Sequence, residues 1–457
     1  MANLVRYCLH LGKHVAGYDR TTTPLTKALE SEGAHLVYTD DASLVPMEFR
    51  DPDKTLVVYT PAVGDDNSIL SMFRREGFEI VKRARLLGEL TRGSRAVCVA
   101  GSHGKTTVSS MTANILRESR QGCNAFLGGI LRNTGSNLLL HPGSDINVVE
   151  ADEYDRSFHQ LSPYLAVVTS TDPDHLDIYG DEAHYLEAFS KFTSLIVHGG
   201  KLIMHTGLKF RPDTGEDVSV ETYSADDPTA DWHAEDVTFS PGRLSFTLRG
   251  PRGIEIKDIA LGVPVKINVD NAVAASAAAL SLGADAEEVR KGLESFMGAK
   301  RRFEIWMPGR RVKEAQGGAE RVEGPVLIDD YAHSPNEVRA SIESVRRLYP
   351  GMKLSVIFQP HLYSRTRDFA PDFASALSGA DEVIMPEIYP AREAPIEGVD
   401  SQLILRGVTS PEKRYCERKD LLNLIKNRNF EILMTLGAAD IDLLLPEIKK
   451  ILERDRD

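Results

Sequence analysis

The segment 96–107, Ala-Val-Cys-Val-Ala-Gly-Ser-His-Gly-Lys-Thr-Thr, limits what this chain can fold into more than any other part of it. A short β-branched run enters a glycine-containing turn, and a helical pattern begins at Lys105. This order turns backbone N–H groups and a helix N-terminus toward an anion. Lys105 adds a mobile positive charge, and Thr106 adds a hydroxyl for Mg²⁺. We therefore predict a phosphate-binding loop that consists of Gly101, Ser102, His103, Gly104, Lys105, Thr106 and Thr107.

The loop departs from the usual spacing of such sequences. The common pattern has a glycine five residues before Gly104, where this chain has Val99, and the glycine lies at position 101 instead. An ordinary glycine turn in front of a helix is the alternative interpretation. The strand, loop and helix order favours nucleotide binding.

Composition excludes several classes of protein. A chain of 457 residues is too long for one core and indicates about three domains. Its net charge of −13 argues against a general binder of nucleic acid or anionic membranes, so phosphate binding must be local. The four cysteines are scattered and indicate reduced thiols. No apolar run approaches 18 residues, so we expect a cytoplasmic protein without membrane insertion.

Strand and helix patterns alternate along the chain, which predicts an α/β protein with parallel sheets covered by helices. We place domain boundaries at 1–93, 94–299 and 300–457. The first and third domains are expected to be Rossmann-like, and the second resembles a P-loop ATPase with a more β-rich stretch at 219–267. Residues 309–324 are expected to form a hairpin or loop.

Acidic residues follow two predicted strands of the central block, at 146–149 and 165–169. Ligands of parallel sheets bind at the carboxyl ends of strands. Carboxylates there, beside a phosphate loop, suit Mg²⁺, although such residues are also frequent in caps and turns. Glu150 is the leading candidate, and His175 is expected to contact phosphate or a second metal.

Further candidates lie near the domain junctions. Asn268 and Asn271 could contact an adenine edge, and helix capping by Asp270 or Asn271 is the alternative. Arg301 and Arg302 could reach a γ-phosphate, unless they are solvated surface residues.

In the third block, polar side chains follow two more predicted strands. Asp329 and His333 follow the first, and His361, Arg365 and Arg367 follow the second. Histidine and arginine at one strand end suit a substrate that carries a carboxylate, because a guanidinium can bind it through two hydrogen bonds.

Together these residues resemble those of the Mur ligases, the ATP-dependent amide-forming enzymes of peptidoglycan synthesis. The resemblance covers nearly the whole chain and rests on GSHGKTT (101–107), EADEYD (150–155), DPDHLDIYG (172–180), RRFE (301–304), DDYAHSP (329–335), QPHLYSRTRDF (359–369) and IYPAREAPIEGV (388–399). The last two motifs are the most specific and are similar to those of the alanine-adding branch.

The resemblance implies ATP and Mg²⁺, with UDP-N-acetylmuramate and L-alanine as substrates. Lys105 would bind the β- and γ-phosphates, with Thr106, Glu150 and His175 at the metals and Asn268 and Asn271 at adenine. Arg302, Asp329 and His333 would close the C-terminal domain over the nucleotide. The amino acid would contact His361, Arg365 and Arg367, and the UDP-sugar would contact Thr60, Gly128, Gly129 and Asn133. We expect a monomer or weak homodimer.

Some positions depart from the family pattern. Ile267 and Ser334 each stand where the family often has histidine, and Phe189 stands where some members carry a modified lysine. Met1 aligns with the methionine of a glycine-rich loop, so the first strand and that loop are expected to be absent. The alternatives are a murein-tripeptide ligase, a folylpolyglutamate-type ligase, and a nucleotide-binding protein with impaired sugar-nucleotide binding.

Overall fold

The computed structural model describes residues 1–173, 175–313, 320–391 and 393–454. Asp174 and Arg392, each within a motif quoted above, lie outside the described residues, as does the middle of the expected hairpin or loop, 314–319. The chain divides into two compact units. The first comprises 1–233, 249–254 and 271–292, and the second comprises 234–248, 255–270 and 293–457. The three predicted domain boundaries stay a prediction.

The strands are β1 (Ala16–Tyr18), β2 (His35–Val37), β3 (Leu56–Tyr59), β4 (Glu79–Lys82), β5 (Arg95–Ala100), β6 (Asn124–Leu131), β7 (Ser136–Leu139), β8 (Ile146–Glu150), β9 (Leu165–Val168), β10 (Lys201–His205), β11 (Ser219–Ser224), β12 (Trp232–Ser240), β13 (Arg243–Gly250), β14 (Ile254–Ala260), β15 (Glu304–Lys313), β16 (Glu320–Asp330), β17 (Leu354–Phe358), β18 (Glu382–Met385), β19 (Glu412–Tyr415) and β20 (Ile432–Leu436).

The α-helices are α1 (Ala2–His10), α2 (Pro24–Ser31), α3 (Ser68–Arg75), α4 (Arg83–Thr91), α5 (Lys105–Glu118), α6 (Leu176–Tyr179), α7 (Glu182–Thr193), α8 (Ile267–Ser281), α9 (Ala286–Glu294), α10 (Pro335–Leu348), α11 (Tyr363–Leu377), α12 (Ser401–Gly407), α13 (Leu421–Lys426) and α14 (Leu445–Arg454). Within the described residues, none has both the length and the apolar content needed to cross a membrane.

The main sheet of the first unit has β5 at its centre. Its strands lie in the order β11-β10-β9-β5-β8-β6-β7, and all neighbours are parallel except β6 and β7. Val97, Cys98 and Val99 of β5 are completely buried. A continuous apolar run without alternation is typical of a parallel strand covered on both faces. This sheet confirms the predicted α/β class.

The N-terminal part of the first unit forms two small parallel sheets. β1 pairs with β2, and β3 pairs with β4. A separate apolar cluster around Met72 and Phe73 of α3 packs beside them. The expectation that this region lacks a strand and a glycine-rich loop stays a prediction.

The second unit contains a six-stranded sheet in the order β15-β16-β20-β17-β18-β19. β15 and β16 are antiparallel, and the other neighbours are parallel. Asp330, Phe358 and Leu436 lie in register at the carboxyl ends of β16, β17 and β20. The residues that follow these three strands therefore meet at one edge of the sheet.

Helical patterns in the sequence also predict helices over 271–282 and 369–377, and both predicted starts were wrong. α8 begins at Ile267 and not at Asn271, because burial of Val269 outweighs the weak helix propensity of the surrounding asparagine and aspartate. α11 begins at Tyr363 and not at Phe369. Pro371 lies inside this helix and is accommodated by non-helical angles at Phe369, so the sequence pattern hid the earlier start. The β-rich stretch predicted at 219–267 is confirmed by β11–β14.

Candidate active site

Two glycines shape the predicted phosphate loop. Gly101 has a φ of +140°, and a Cβ there would lie 2.1 Å from Thr169 Oγ1. Gly104, the N-cap of α5, has a φ of +83°, and its Cβ would lie 3.0 Å from Asn271 Oδ1. Side chains at either position would be strained and would crowd a neighbour. The loop conformation therefore requires glycine at positions 101 and 104, which favours a phosphate-binding loop over an ordinary glycine turn.

The loop is fastened to the residues that follow β9. Thr169 Oγ1 donates to the His103 carbonyl, and His103 N donates to Ser170 Oγ at 2.7 Å. Ser102 Oγ donates to the Asp172 carbonyl at 2.6 Å. Neither Thr169 nor Ser170 was among the site residues predicted from the sequence. Their position at the carboxyl end of a predicted strand beside the loop was the available signal.

Lys105, the first residue of α5, is held by its own loop and by a buried carboxylate. Its Nζ donates to the Gly101 carbonyl and to Glu153 Oε1, the latter at 2.8 Å. The side chain of Glu153 is only 2% exposed, and burial raises its pKa while the Lys105 charge acts in the opposite direction. Glu153 belongs to the acidic motif 150–155, but its pairing with Lys105 was not predicted.

Glu150 joins two other predicted site residues. Thr106 Oγ1 donates to Glu150 Oε1 at 3.1 Å, and Gly128 N donates to Oε2 at 3.1 Å. A Cβ at position 128 would lie 2.4 Å from Glu150 Oε2, so this approach requires glycine. A hydroxyl and a carboxylate are donors that suit Mg²⁺. In the described part of the chain, no cluster of three or more His, Cys, Asp or Glu side chains is arranged to hold a metal.

The remaining candidates of the first unit lie on loops and strand ends. His175 precedes α6 with a φ of +53°, and its ring packs edge to face on Tyr154 at 5.1 Å. Gly129 lies in β6, Asn133 lies between β6 and β7, and Thr60 directly follows β3. Tyr154 connects His175 to the acidic motif that begins at Glu150.

The two asparagines predicted to contact adenine lie within α8. Asn268 is 6% exposed, and its Nδ2 donates to the Val263 carbonyl at 3.1 Å. Asn271 is also buried and faces Gly104, as described above. Because α8 begins at Ile267, the alternative in which Asp270 or Asn271 caps the helix is wrong.

In the second unit, the structure distinguishes the two adjacent arginines. Arg301 donates to the carbonyls of Gly437 and Ala439, the latter at 2.7 Å, and its guanidinium lies 5.0 Å from the Tyr331 ring centre. Arg302 makes no side-chain hydrogen bond or ion pair with any described residue. Arg302 is therefore the arginine that remains available to a ligand.

Asp329 occupies an environment that differs from the prediction. The family resemblance implies a contact of Asp329 with the nucleotide, whereas the structure completely buries its carboxylate. Thr435 Oγ1 donates to its Oδ1 at 2.6 Å, and Arg301 Nε lies 3.4 Å from its Oδ2. Burial raises the pKa of Asp329 to about 7. The buried carboxylate thus helps to orient the Arg301 guanidinium.

His333 lies at the start of α10. Its Nδ1 is 3.0 Å from the Tyr331 carbonyl and 3.3 Å from Glu337 Oε2, which favours a proton on Nδ1. Ser334 is the N-cap of α10 and forms a capping box with Glu337. This capping explains a serine at a position where the family often has a second histidine.

The residues predicted to contact the amino-acid substrate lie in different environments. The His361 ring stacks on Tyr389 at 6.1 Å. Arg365 is half-buried, and its Nη1 is buried without a hydrogen-bond partner among the described residues. Arg367 is exposed, and its Nε donates to Asp368 at 2.7 Å. Arg365 is therefore the better placed of the two to bind a carboxylate.

Comparison with protein families assigns a family domain to each part of the chain. The chain matches "Mur ligase family, catalytic domain" at residues 1–95, "Mur ligase middle domain" at 99–279 and "Mur ligase, glutamate ligase domain" at 316–433. These three segments account for most of its length.

Individual relatives extend the match. A UDP-N-acetylmuramate--L-alanine ligase of Parabacteroides distasonis is 50% identical over 452 residues, which are 99% of this chain and 95% of the relative. A protein of the same name from Phocaeicola vulgatus is 49% identical over 99% of this chain and 96% of its own. The crystal structure of UDP-N-acetylmuramate-alanine ligase from Thermotoga maritima matches with a TM-score of 0.77 and 27% identity, over 100% of this chain and 96% of that one. Similarity of this extent, along nearly the whole length, shows that the chain belongs to the Mur ligase family.

Proposed function

We propose that this chain is an ATP-dependent ligase that joins L-alanine to the lactyl carboxylate of UDP-N-acetylmuramate and releases ADP and phosphate. The observation that carries the proposal is 50% identity over 99% of the chain with a relative of that activity. The role is a step in the synthesis of peptidoglycan precursors.

The phosphates of ATP bind the loop 101–107. Backbone N–H groups and the N-terminus of α5 face the phosphates, since Gly101 and Gly104 let the backbone approach closely. Lys105 exchanges the Glu153 carboxylate for the β- and γ-phosphates. The pairing with Glu153 supports this, because it keeps the ammonium at the loop before nucleotide arrives.

Thr106 and Glu150 hold Mg²⁺, and His175 contributes at a second metal. The distance of 3.1 Å between the Thr106 hydroxyl and a Glu150 oxygen supports the fit, because both are hard oxygen donors. Bound Mg²⁺ neutralises phosphate charge during transfer. Asn268 and Asn271 contact adenine, and Thr60, Gly128, Gly129 and Asn133 contact the UDP-sugar.

The reaction has two steps. A carboxylate oxygen of the sugar nucleotide attacks the γ-phosphorus, and ADP leaves to give an acyl phosphate. The amine of L-alanine then attacks the acyl carbon, loses a proton and expels inorganic phosphate. Positioning and charge stabilisation carry the rate, since the protein forms no covalent bond with the substrates.

Residues of the second unit serve the amino acid and the nucleotide. Arg302 supplies a guanidinium to phosphate. Its side chain makes no hydrogen bond or ion pair with a described residue, which supports this role. Arg301 and Asp329 orient the segment around it. His333 serves the nucleotide beside Arg302. His361, Arg365 and Arg367 receive L-alanine, and the buried unpaired Nη1 of Arg365 supports a carboxylate contact.

The test is an ATP-dependent ligation assay with UDP-N-acetylmuramate and a panel of acceptors. We expect ADP release that depends on L-alanine, little with murein tripeptide, and none with the Lys105→Ala variant under conditions where that variant is folded. Tripeptide as the preferred acceptor would indicate the tripeptide ligase instead. Normal turnover by Lys105→Ala would refute the phosphate-loop assignment. A monomer or weak homodimer in the cytoplasm is the expected state.

A further inference from the structure

A small cavity lies beside the acidic motif of the first unit, and a cation with no assigned role lines it. Arg83 of α4 shares this cavity with Glu150, Asp152, Ser157 and Phe158. Glu150 is also the carboxylate that contacts Thr106 of the phosphate loop. Glu150 therefore borders both this cavity and the predicted phosphate loop.

Arg83 is half-buried, and its Nε is buried without a hydrogen-bond partner. Within the ranges that the structure describes, its guanidinium forms no ion pair. The adjacent Lys82 differs, because its Nζ lies 2.6 Å from Asp155 Oδ2. A partly desolvated guanidinium without an acceptor is unfavourable, and an anion would complete its hydrogen bonding.

The carboxylates that line the cavity already have partners. Glu150 accepts from Thr106 through Oε1 and from Gly128 through Oε2. Asp152 Oδ1 accepts from Tyr154 N at 3.1 Å. Each of these carboxylates thus has a hydrogen-bond donor other than Arg83.

Close packing holds Arg83 in place. A Cβ at Gly88 of α4 would lie 2.2 Å from the Gln160 carbonyl, so α4 lies directly against the segment that follows the acidic motif. Ser162 N also donates to Thr91 Oγ1 of α4 at 2.9 Å. These contacts fix the helix that carries Arg83 relative to Glu150.

We propose that Arg83 is a substrate-binding residue that pairs with the lactyl carboxylate of the sugar nucleotide beside Glu150. This inference rests on the proposed function. Lys105 then neutralises the nucleotide phosphates, and Arg83 neutralises the acid that they activate. A guanidinium suits this task because it offers a carboxylate two parallel hydrogen bonds.

The experiment measures equilibrium binding of two probes, UDP-N-acetylmuramate and UDP-N-acetylglucosamine, with Mg²⁺ present. The second probe keeps the nucleotide, diphosphate and amino sugar but lacks the lactyl carboxylate. We expect Arg83→Gln to weaken binding of the first probe roughly 10- to 100-fold, the range for a lost hydrogen bond to a charged group. Binding of the second should change less than about twofold. Arg83→Lys should fall between wild type and Arg83→Gln for the first probe.

Arg85→Gln is the matched control, because Arg85 lies in the same helix, is exposed and faces Glu79 at 3.9 Å. Both affinities should stay at wild-type values in this control. Equal losses for the two probes in Arg83→Gln would assign Arg83 to the diphosphate or to the fold, and unchanged affinities would also overturn the proposal. If Arg83→Gln does not fold, the ratio of the two affinities in Arg83→Lys decides. A wild-type protein that does not prefer the muramate would overturn the proposed function itself.

Discussion

Replacing Gly101 by alanine should disable the phosphate loop. The new Cβ would lie 2.1 Å from Thr169 Oγ1, 2.8 Å from Ser170 N and 3.0 Å from Ser170 O, at a φ of +140°. An unfavourable backbone region costs about 1–3 kcal/mol, overpacking costs a further 1–3 kcal/mol, and loss of a hydrogen bond of Thr169 costs roughly 0.5–1.5 kcal/mol. The total is about 2.5–7.5 kcal/mol, so the loop must move.

The assay is ADP release as a function of ATP concentration, together with thermal unfolding. If 3 kcal/mol of strain is released by displacement of the loop, ATP binding weakens about 100-fold. If the strain stays in the fold, the melting temperature falls by roughly 6–12 °C. The same strain energy is divided between these two effects. A Gly101→Ala protein with a large loss of ATP affinity should therefore show a small fall in melting temperature, and the reverse.

Gly199→Ala is the control, because its φ of +71° is also positive and nothing lies within 4 Å of its Cβ. It should show the backbone cost without the crowding. Adding Thr169→Ala to the Gly101 variant removes the nearest clash and should recover part of the ATP affinity. A Gly101 variant with the ATP affinity and melting temperature of the Gly199 variant would refute the reasoning.

Three further predictions concern the metal, the amino acid and a buried acid. Glu150→Gln should raise the Mg²⁺ requirement and lower kcat, because an amide lacks the charge that binds the ion; titration of activity with Mg²⁺ checks this, and a wild-type curve would contradict it. Arg365→Ala should raise the KM for L-alanine about 10- to 100-fold without a comparable change in the KM for ATP. Arg367→Ala should raise the KM for L-alanine less than about threefold, because its exposed ion pair contributes little. Equal effects of the two substitutions would show that burial does not determine which arginine binds the amino acid. Burial raises the pKa of Asp329 to about 7 in the folded state. Because this pKa is higher in the folded than in the unfolded state, protonation of Asp329 stabilises the fold. The stabilisation is complete below about pH 4 and is lost as the pH rises through 7. The melting temperature of Asp329→Asn should therefore fall less than that of wild type between pH 5 and 8.

Local sequence was sufficient for the phosphate loop and the strands beside it. The β-branched apolar run of β5 and the glycine turn after it favour a buried strand, and two glycines followed by lysine and threonine favour a loop that binds anions. Strand–helix alternation likewise predicted parallel sheets, and β8 and β9 were found at the predicted strands 146–149 and 165–169. These features depend on residues that are neighbours in the chain.

Sequence spacing was also enough to nominate Glu150, because acidic residues at the end of a parallel strand meet the loop of the neighbouring strand. It did not reveal which oxygen contacts which donor. Thr106 and Glu150 are 44 residues apart, and their distance of 3.1 Å follows from the pairing of β5 with β8.

Tertiary structure decided the roles of residues that look alike in the sequence. Arg301 and Arg302 are adjacent, yet only Arg301 is bound to carbonyls 136 and 138 residues away. Arg365 and Arg367 share one helix but differ in burial, and Arg83 was not singled out because arginine at a helix start is common on protein surfaces. Hydrogen bonding and desolvation depend on chain segments far apart in sequence. Side-chain type and spacing therefore identified the chemistry available, and only packing determined which side chains are free to perform it.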